Sequence, residues 1–486
     1  MSEVLSAQIA QIAQMAGAYF PELIITLFII FNLIAGQFFS TYLYKLSKWF
    51  TILGIVLALC STFYLQIEPE AYAFNGTFLT NIYTVFFKIL ILISGFCLTL
   101  LSRNMIREKR DRAFEYFAVF LSGILFAMCV VSSVDFISLF VSLEALGLSC
   151  YLLLSLNKNP DAKQLTFGYI VQNAVVSSLF LMGLSLIYGM CAQTNFDLIS
   201  LYFSQNQPQI LLTFAMILML CTFLFKLGLV PFSSWLPDTF EGASHPIGAY
   251  MSLIPVLACF GILSRILLIF LNYTFTIKIV LASIAVLTIL FGSLSAIRQE
   301  NLKRLMAYSM SVQSGIMLLG LCVFSVYSLS SVLFYLFCYV IATIGAWSAI
   351  ILLYNSAKLE KLDDLKGVIY HRPYYVIAFT TILIALAGLA PTCGFAAKLY
   401  IFSAVARSGF IFLPFLIAAL VCCVIMIYGY WRIIRALFRR IETQIEIDTR
   451  VISSKFILYA CALATVFACL FADKIIQLCQ LAAYYM

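Results

Sequence analysis

The chain has 486 residues, of which 64% are A, V, I, L, M, F, W, Y or C and only 10% are D, E, K or R. A soluble chain carries about 45–50% apolar and about 25% charged residues, so these few charges cannot clothe a water-facing surface, which argues against a soluble enzyme, a disordered chain and a nucleic-acid binder. The net charge is +8, from 29 Lys and Arg against 21 Asp and Glu, and the positions of the cations decide between a polyanionic partner and membrane topology.

Residues 1–20 have no basic n-region ahead of their apolar residues, so they do not read as a removable signal peptide. They read as a short additional helix near the surface. From Pro21 onward the chain is a succession of apolar windows. A helix needs about 20 such residues to cross a ~30 Å hydrocarbon core. Fourteen windows qualify, at 21–44, 48–66, 79–101, 113–132, 134–156, 164–190, 209–230, 246–271, 276–297, 302–324, 327–354, 373–407, 411–438 and 452–482. The fold class expected is an all-α polytopic membrane protein of about fourteen spans. A barrel is disfavoured, since its strands would alternate apolar and polar residues. The polar stretch from Pro231 to Pro246 cannot span alone and reads as a short second half of span 7.

The connections after spans 1, 3, 5, 9, 11 and 13, with their flanking span ends, carry 22 of the 29 cations. The stretches 67–78, 191–208 and 325–330 carry none. By the positive-inside rule this places both termini on the outer side and gives most of the net charge a purely orienting role. Cysteine and histidine give little. The 15 cysteines form no CxxC pair, and the two histidines, His245 and His371, lie beside a proline or a charged segment. The cysteines read as small hydrophobes, and neither residue type suggests a redox cofactor or metal held by this chain.

Seven cations lie outside the loop pattern. Arg265, Lys278, Arg407 and Lys474 are near span ends, where snorkelling would explain them. Lys88, Lys226 and Lys398 sit deeper, as does Glu144 in the middle of span 5. A charge at bilayer depth costs about 2.5–3.5 kcal/mol on insertion scales, and such residues usually face a polar interior and pair with one another. A buried Glu–Lys pair that only fixes helix packing is the structural alternative. Near Lys226 and Lys398 runs the same tetrad, Gly-Leu-x-Pro, at Gly228 to Pro231 and Gly388 to Pro391. Proline breaks the helical hydrogen-bond ladder, and unwound backbone at membrane depth is tolerated only within protein or beside a water-filled cavity. The tetrads are 160 residues apart, and by the topology above their spans run in opposite directions. Spans 4–8 and 9–13 therefore read as inverted repeats with one broken helix each, an arrangement that marks ion paths in transporters. The resulting division is an N-terminal segment (1–20), spans 1–3 (21–112), repeat 1 (113–271), repeat 2 (276–440), and a loop with the last span (441–486).

Burial disfavours the charged form of a lysine, and a nearby carboxylate restores it. Moving the carboxylate, or supplying a second cation, would then release a proton. Glu144 and Lys226 are thus candidates for a switchable pair, with Lys398 a further relay site.

Three stretches resemble the antiporter-like subunits of respiratory complex I. The first is Phe225-Lys226-Leu-Gly-Leu-Val-Pro231-Phe-x-x-Trp235-x-Pro237-Asp238. The second is Asn301-Leu-Lys303-Arg304-Leu-Met-Ala-Tyr308-Ser309. The third, Asp364-Leu-Lys-Gly367 with Leu386-Ala-Gly388-Leu-Ala-Pro391-Thr-x-Gly394-Phe-x-x-Lys398-Leu-Tyr400, is most similar to subunit N of proton-translocating NADH:quinone oxidoreductase. The similarity runs from about Pro21 to Phe438. Span 11 lacks the His-x-x-x-Lys pattern usual in the larger relatives. The resemblance implies a proton-carrying subunit of a membrane arm, part of a translocase, with the relay at Glu144, Lys226 and Lys398. It implies no cofactor in this chain. NADH, FMN, iron–sulfur clusters and quinone would be bound by partner subunits. The other partners would be membrane-arm subunits and the lipid bilayer, with no nucleic acid. A bacterial inner membrane is expected over a mitochondrial one, since no transit peptide is evident.

Three positions depart from the family pattern. Val256 stands where span 8 usually has a lysine, Gln313 where span 10 has a histidine, and Gly168 before Tyr169 where span 6 has a lysine. A relay without that lysine and histidine would use water chains or polar residues such as Gln172, Asn173, Ser311, Gln313 and His245. Two other readings stay open: a stand-alone Mrp-type cation/proton antiporter subunit, since those relatives share the fold and the broken helices, and a structural membrane-arm subunit with impaired pumping, which the departures at Val256 and Gln313 favour.

Overall fold

The computed structural model describes residues 19–38, 44–64, 70–74, 76–108, 110–156, 160–207, 209–273, 275–439 and 452–486. Most of the expected N-terminal segment and of the loop at 441–451 lies outside these residues, as do Lys109, Lys158, Arg440 and Arg450.

Each of the fourteen windows contains a helix. Spans 1–6 are Phe20–Phe38, Tyr44–Tyr64, Ile82–Leu101, Ala113–Ser132, Phe136–Ser155 and Pro160–Cys191. Span 7 is split into Ile210–Lys226 (7a) and Trp235–Gly242 (7b). Spans 8–11 are His245–Tyr273, Phe275–Arg298, Leu302–Val323 and Val326–Ala357. Span 12 is split into Pro373–Ala387 (12a) and Cys393–Arg407 (12b), and spans 13 and 14 are Leu413–Phe438 and Ile452–Leu470. Among the described residues, twelve helices are long and apolar enough to cross a membrane. The two shorter apolar ones are 7a and 12a, short because the chain breaks after each.

Three features differ from the sequence expectation. The last window ends early, at Leu470, and Ala472–Tyr484 is a separate helix. A short helix, Phe196–Gln205, lies between spans 6 and 7. An antiparallel hairpin, β1 (Glu70–Ala73) with β2 (Phe78–Asn81), precedes span 3.

Polar residues set several starts. Asn81 and Thr84 form a reciprocal capping box at span 3. Asp135 Oδ1 accepts from Ile137 N (2.7 Å) at span 5, and Asn301 Oδ1 accepts from Lys303 N (2.9 Å) at span 10. Each satisfies a backbone donor that a helix start leaves over.

The centre of the bundle is spans 8, 10 and 11, with 94%, 89% and 89% of their apolar windows buried, against 28% for span 1. A membrane helix apolar all round, as span 8 is, can sit inside protein or against lipid; here protein surrounds it.

The connections segregate to two ends. At one end Val134 N donates to Thr77 O (3.0 Å), Phe196 N to Val134 O (2.9 Å) and Asn81 Nδ2 to Tyr485 O (2.5 Å). At the other, Leu302 N donates to Glu360 O and Leu362 N to Glu300 O, both at 2.9 Å, and Arg432 donates to the Ile297 and Gln299 carbonyls. The second is the cation-rich end.

Not all of its cations are free to act only as topology signals. Arg304 pairs with Asp238 and, at 3.3 Å, with Glu241, both on helix 7b. Lys303 Nζ donates to Glu241 O (2.6 Å) and Ala243 O (3.3 Å), capping the C-terminus of 7b. These two residues anchor the second half of the broken span. In the connection after span 11, Lys366 at 2.5 Å holds the exposed Asp363 carboxyl below the usual carboxylate range through its hydrogen bond and charge.

Candidate functional site

Helices 7a and 12a end in the same way. Gly228 (φ +65°) and Gly388 (φ +76°) take the left-handed conformation that terminates a helix at little cost only for glycine. Leu229 N then donates back to Leu224 O (2.8 Å), and Leu389 N to Ile384 O (3.1 Å). This is the six-to-one bond of a Schellman turn. In both, the proline three residues after the glycine follows a cis peptide bond. The remaining polar backbone at the first break finds side chains: Ser311 Oγ donates to Gly228 O (2.7 Å), and Val230 N donates to Thr288 Oγ1 (3.0 Å). Trp235 Nε1 donates to Phe225 O (3.0 Å), and its ring packs against both Phe225 and Tyr169, with centroids at 5.4 and 4.7 Å, while those two stack on each other at 5.6 Å. The tyrosine after Gly168 thus packs on the broken helix.

Lys226, the last residue of 7a, is 3% exposed. Its Nζ donates to Asn173 Oδ1 (3.1 Å). The amide nitrogen of Asn173 donates to Glu144 Oε2 (3.3 Å) and to Ser177 Oγ (3.2 Å), and Ser177 Oγ donates to Glu144 Oε1 (2.5 Å). The amide therefore presents its oxygen to the cation and its nitrogen to the anion. Among the described residues Glu144 and Lys226 form no direct ion pair. Asn173 holds them apart. Space for the ammonium comes from Gly147, one turn after Glu144, where a Cβ would sit 3.2 Å from Nζ.

Lys398 lies on 12b, after its break, and is 7% exposed. Its Nζ donates to Ala387 O (2.7 Å) and Leu386 O (3.2 Å), the last carbonyls of 12a. The ammonium thus sits at the negative end of that half-helix. Gln313 Nε2 donates to the same Leu386 O (3.0 Å) and to Tyr430 Oη (3.2 Å). Tyr335 donates to Gln313 Oε1, and Ser309 Oγ shares a 2.5 Å hydrogen bond with Tyr430 Oη.

Span 10 touches both centres, through Ser311 at one break and Gln313 at the other. The other expected residues are placed differently. Gln172 lies on the exposed face of span 6, one position from the buried Asn173, and joins no hydrogen bond of the relay. His245 sits at the cation-rich end, its Nε2 3.4 Å from Glu360 Oε1 and its ring 4.2 Å from that of Tyr354. Lys88 pairs with Glu22 at 2.8 Å, both buried, in spans 1 and 3. Arg265 does not snorkel: it is 6% exposed and donates to Val131 O and Asn81 Oδ1, each at 3.3 Å. Val256 is fully buried.

Sequence reasoning missed Ser177, Tyr335, Tyr430 and Glu22. For Ser177 a signal existed, since it lies four residues after Asn173 and so shares its helix face. Among the described residues no group of three or more His, Cys, Asp and Glu is arranged to hold a metal ion, and all fifteen cysteines are free.

The arrangement places two buried lysines beside unwound backbone, one of them joined through an amide to a partly buried carboxylate. Such groups can bind, hold and release protons.

Residues 133–425 match the family model described as NADH:quinone oxidoreductase/Mrp antiporter, TM. The chain is 31% identical to NADH-quinone oxidoreductase subunit N 2 of Rhizobium meliloti (strain 1021), over 89% of this chain and 90% of that one. Its structure superposes on a chain of respiratory complex I from Thermus thermophilus with a TM-score of 0.80 and 25% identity, covering 94% of this chain and 98% of that one. The fold is also that of a chain in the archaeal membrane-bound sulfane sulfur reductase, with a TM-score of 0.87, 23% identity, and coverage of 96% and 97%. This chain belongs to the family of antiporter-like membrane subunits that includes subunit N of NADH-quinone oxidoreductase.

Proposed function

We propose that this chain is a proton-translocating subunit in the membrane arm of an NADH:quinone oxidoreductase, moving protons through Glu144, Lys226 and Lys398. The observation that carries the reading is the amide bridge from Lys226 through Asn173 to Glu144, built at a helix break. Asn173 cannot itself titrate, so it keeps the two charges in contact without fusing them into a tight pair. Charge on one is felt by the other, and a second cation arriving near Glu144 would weaken the hold on the Lys226 proton. Lys398, held by carbonyls and linked to Gln313, is the next station.

In this reading NADH, FMN, iron–sulfur clusters and quinone belong to partner subunits, and other membrane-arm chains flank this one. The cation-rich end faces the cytoplasm of a bacterial cell, with both termini outside, by the positive-inside rule. The 160-residue offset between the two breaks and their common turn support the two inverted repeats, 113–271 and 276–440.

The test is Lys226→Met in the assembled complex in sealed vesicles. Protons moved per NADH oxidised should fall while NADH oxidation by an artificial acceptor stays. A ratio unchanged in both Lys226→Met and Glu144→Gln would instead favour a structural subunit, the reading that Val256 and Gln313 support.

A further inference from the structure

At the end of the bundle away from the cation-rich loops lies a cavity of about 590 Å³. Span 8 lines it with Arg265 and Leu268, and the short helix Phe196–Gln205 lines it with Asp197, Ser200, Leu201 and Ser204. That helix has two faces. Phe196, Ile199 and Phe203 are buried. Phe196 packs on Phe136 with centroids 4.6 Å apart, and Phe136 in turn stacks at 6.5 Å on Phe270 of span 8. This face fixes the helix to the bundle. Asp197, Ser200 and Ser204, spaced by three and four residues, share another face. Asn195 Oδ1 caps the helix by accepting from Asp197 N (2.9 Å), so the cap does not use the Asp197 carboxylate. Ser200 Oγ donates to Asp197 O and Ser204 Oγ to Leu201 O, both at 2.8 Å. Each hydroxyl oxygen then faces a ligand as an acceptor.

The cavity lies at a defined depth. Arg265 follows His245, at the cation-rich end, by 20 residues of continuous helix. At 1.5 Å per residue that is about 30 Å, the thickness of the hydrocarbon core. Arg265 therefore stands where the far leaflet passes from acyl chain to headgroup. Asn81 Oδ1 and Val131 O hold its guanidinium, which lies 5.2 Å from the centre of the Tyr83 ring. Leu201 and Leu268 are 56% and 39% exposed and reach the outside of the bundle. A molecule suited to this space carries an anion for the guanidinium, a cation with N–H donors for the carboxylate and the two hydroxyls, and apolar chains for the leucines.

We propose that this cavity binds a zwitterionic phospholipid of the ethanolamine class. Its phosphate sits on Arg265, whose planar fork suits phosphate oxygens. Its primary ammonium lies among Asp197, Ser200 and Ser204, and its acyl chains leave past Leu201 and Leu268. A choline headgroup has no N–H to donate, and a glycerol headgroup has no cation, so neither meets the whole set. By the positive-inside rule the site belongs to the outer leaflet. No bond is made or broken. The site stands apart from the proton relay and uses neither Glu144 nor its lysines.

The test places the assembled complex in lipid nanodiscs doped with a phospholipid that carries a photoreactive group on one acyl chain. The headgroup is ethanolamine, choline or glycerol in turn. After irradiation, labelled peptides are identified by mass spectrometry, with the lipid-facing span 1 as the measure of bulk contact. Peptides containing 196–205 and 265–273 should take the ethanolamine lipid on the order of tenfold more than the other two, the step a hydrogen bond to a charged group supplies. Asp197→Asn should cut that preference, and Arg265→Gln should lower labelling by all three lipids. Ser204→Leu fills the space and should reduce labelling to the level of span 1. Equal labelling by ethanolamine and choline lipids in the unaltered complex overturns the headgroup assignment. Labelling no greater than that of span 1 overturns the site, as does a density map showing a neighbouring subunit's side chain in the cavity. Should Arg265→Gln fail to assemble, Asp197→Asn and Ser204→Leu decide, since both positions are exposed.

Discussion

The two helix breaks share a backbone and differ in electrostatics. Both turn on a left-handed glycine followed by Leu-x-Pro. At the first, the lysine ends the incoming half-helix and faces a carboxylate through an amide. At the second, the lysine belongs to the outgoing half-helix and reaches back to bare carbonyls. A half-helix end offers roughly half an elementary charge, and a carboxylate offers a whole one. The same turn therefore serves one site whose cation is matched by a partner that can titrate, and another whose cation is matched only by fixed dipoles. In the proposed relay, the first would be the site switched by moving charge on Glu144, and the second would respond to what reaches Lys398 itself.

Glycine substitutions break the comparison most sharply. Gly394→Ala should have the largest effect, since its Cβ would lie 1.8 Å from the Ala385 backbone oxygen. Helix 12b cannot then dock on 12a, and the yield of assembled complex should collapse. Gly388→Ala comes next: its Cβ would meet Lys398 Cδ at 2.4 Å, on top of a left-handed backbone that costs an L-residue about 1–2 kcal/mol. At Gly228 the nearest atom is Leu236 Cδ2 at 3.1 Å. Gly228→Ala should therefore lower thermal stability less than Gly388→Ala, and the reverse order would show that the two turns are not held alike.

Asn173→Ala addresses the electrostatic difference. It removes hydrogen bonds to two charged groups, each worth roughly 1.5–3 kcal/mol, and should lower protons per NADH. Gln172→Ala, one residue away on the exposed face, should leave the ratio unchanged. Equal effects would dismiss the bridge. The smallest effect is expected of Arg304→Ala. Its partners Asp238 and Glu241 are half exposed, so the pairs contribute about 0–1 kcal/mol, visible as a small fall in melting temperature at low salt.

The sequence displayed the breaks plainly, because Gly-Leu-x-Pro inside an apolar window contradicts the helix around it. Glu144, Lys226 and Lys398 were legible for the same reason: a charge in an apolar run is conspicuous. Their partners were not. Asn173 and Gln172 look alike in sequence, and only the rotational phase of span 6 separates the buried one from the exposed one. Tyr335 and Tyr430 are two among 27 tyrosines, and nothing local distinguishes a ring that fills space from a hydroxyl that completes a network. Lys303 and Arg304 obeyed the charge rule for loops and so hid their second task, anchoring helix 7b. Arg265 misled by lying near a span end, where a side chain can reach either water or, as it does, the interior.

Span 10 has one more consequence. Ser311 and Gln313 are two residues apart, about 200° around a helix of 3.6 residues per turn, so they point to nearly opposite sides. One grips the carbonyl of Gly228 and the other that of Leu386. A small axial rotation of this one cylinder loosens both grips together. The two breaks are thereby tied to one rigid element, and a change in its rotational setting would reach both of them.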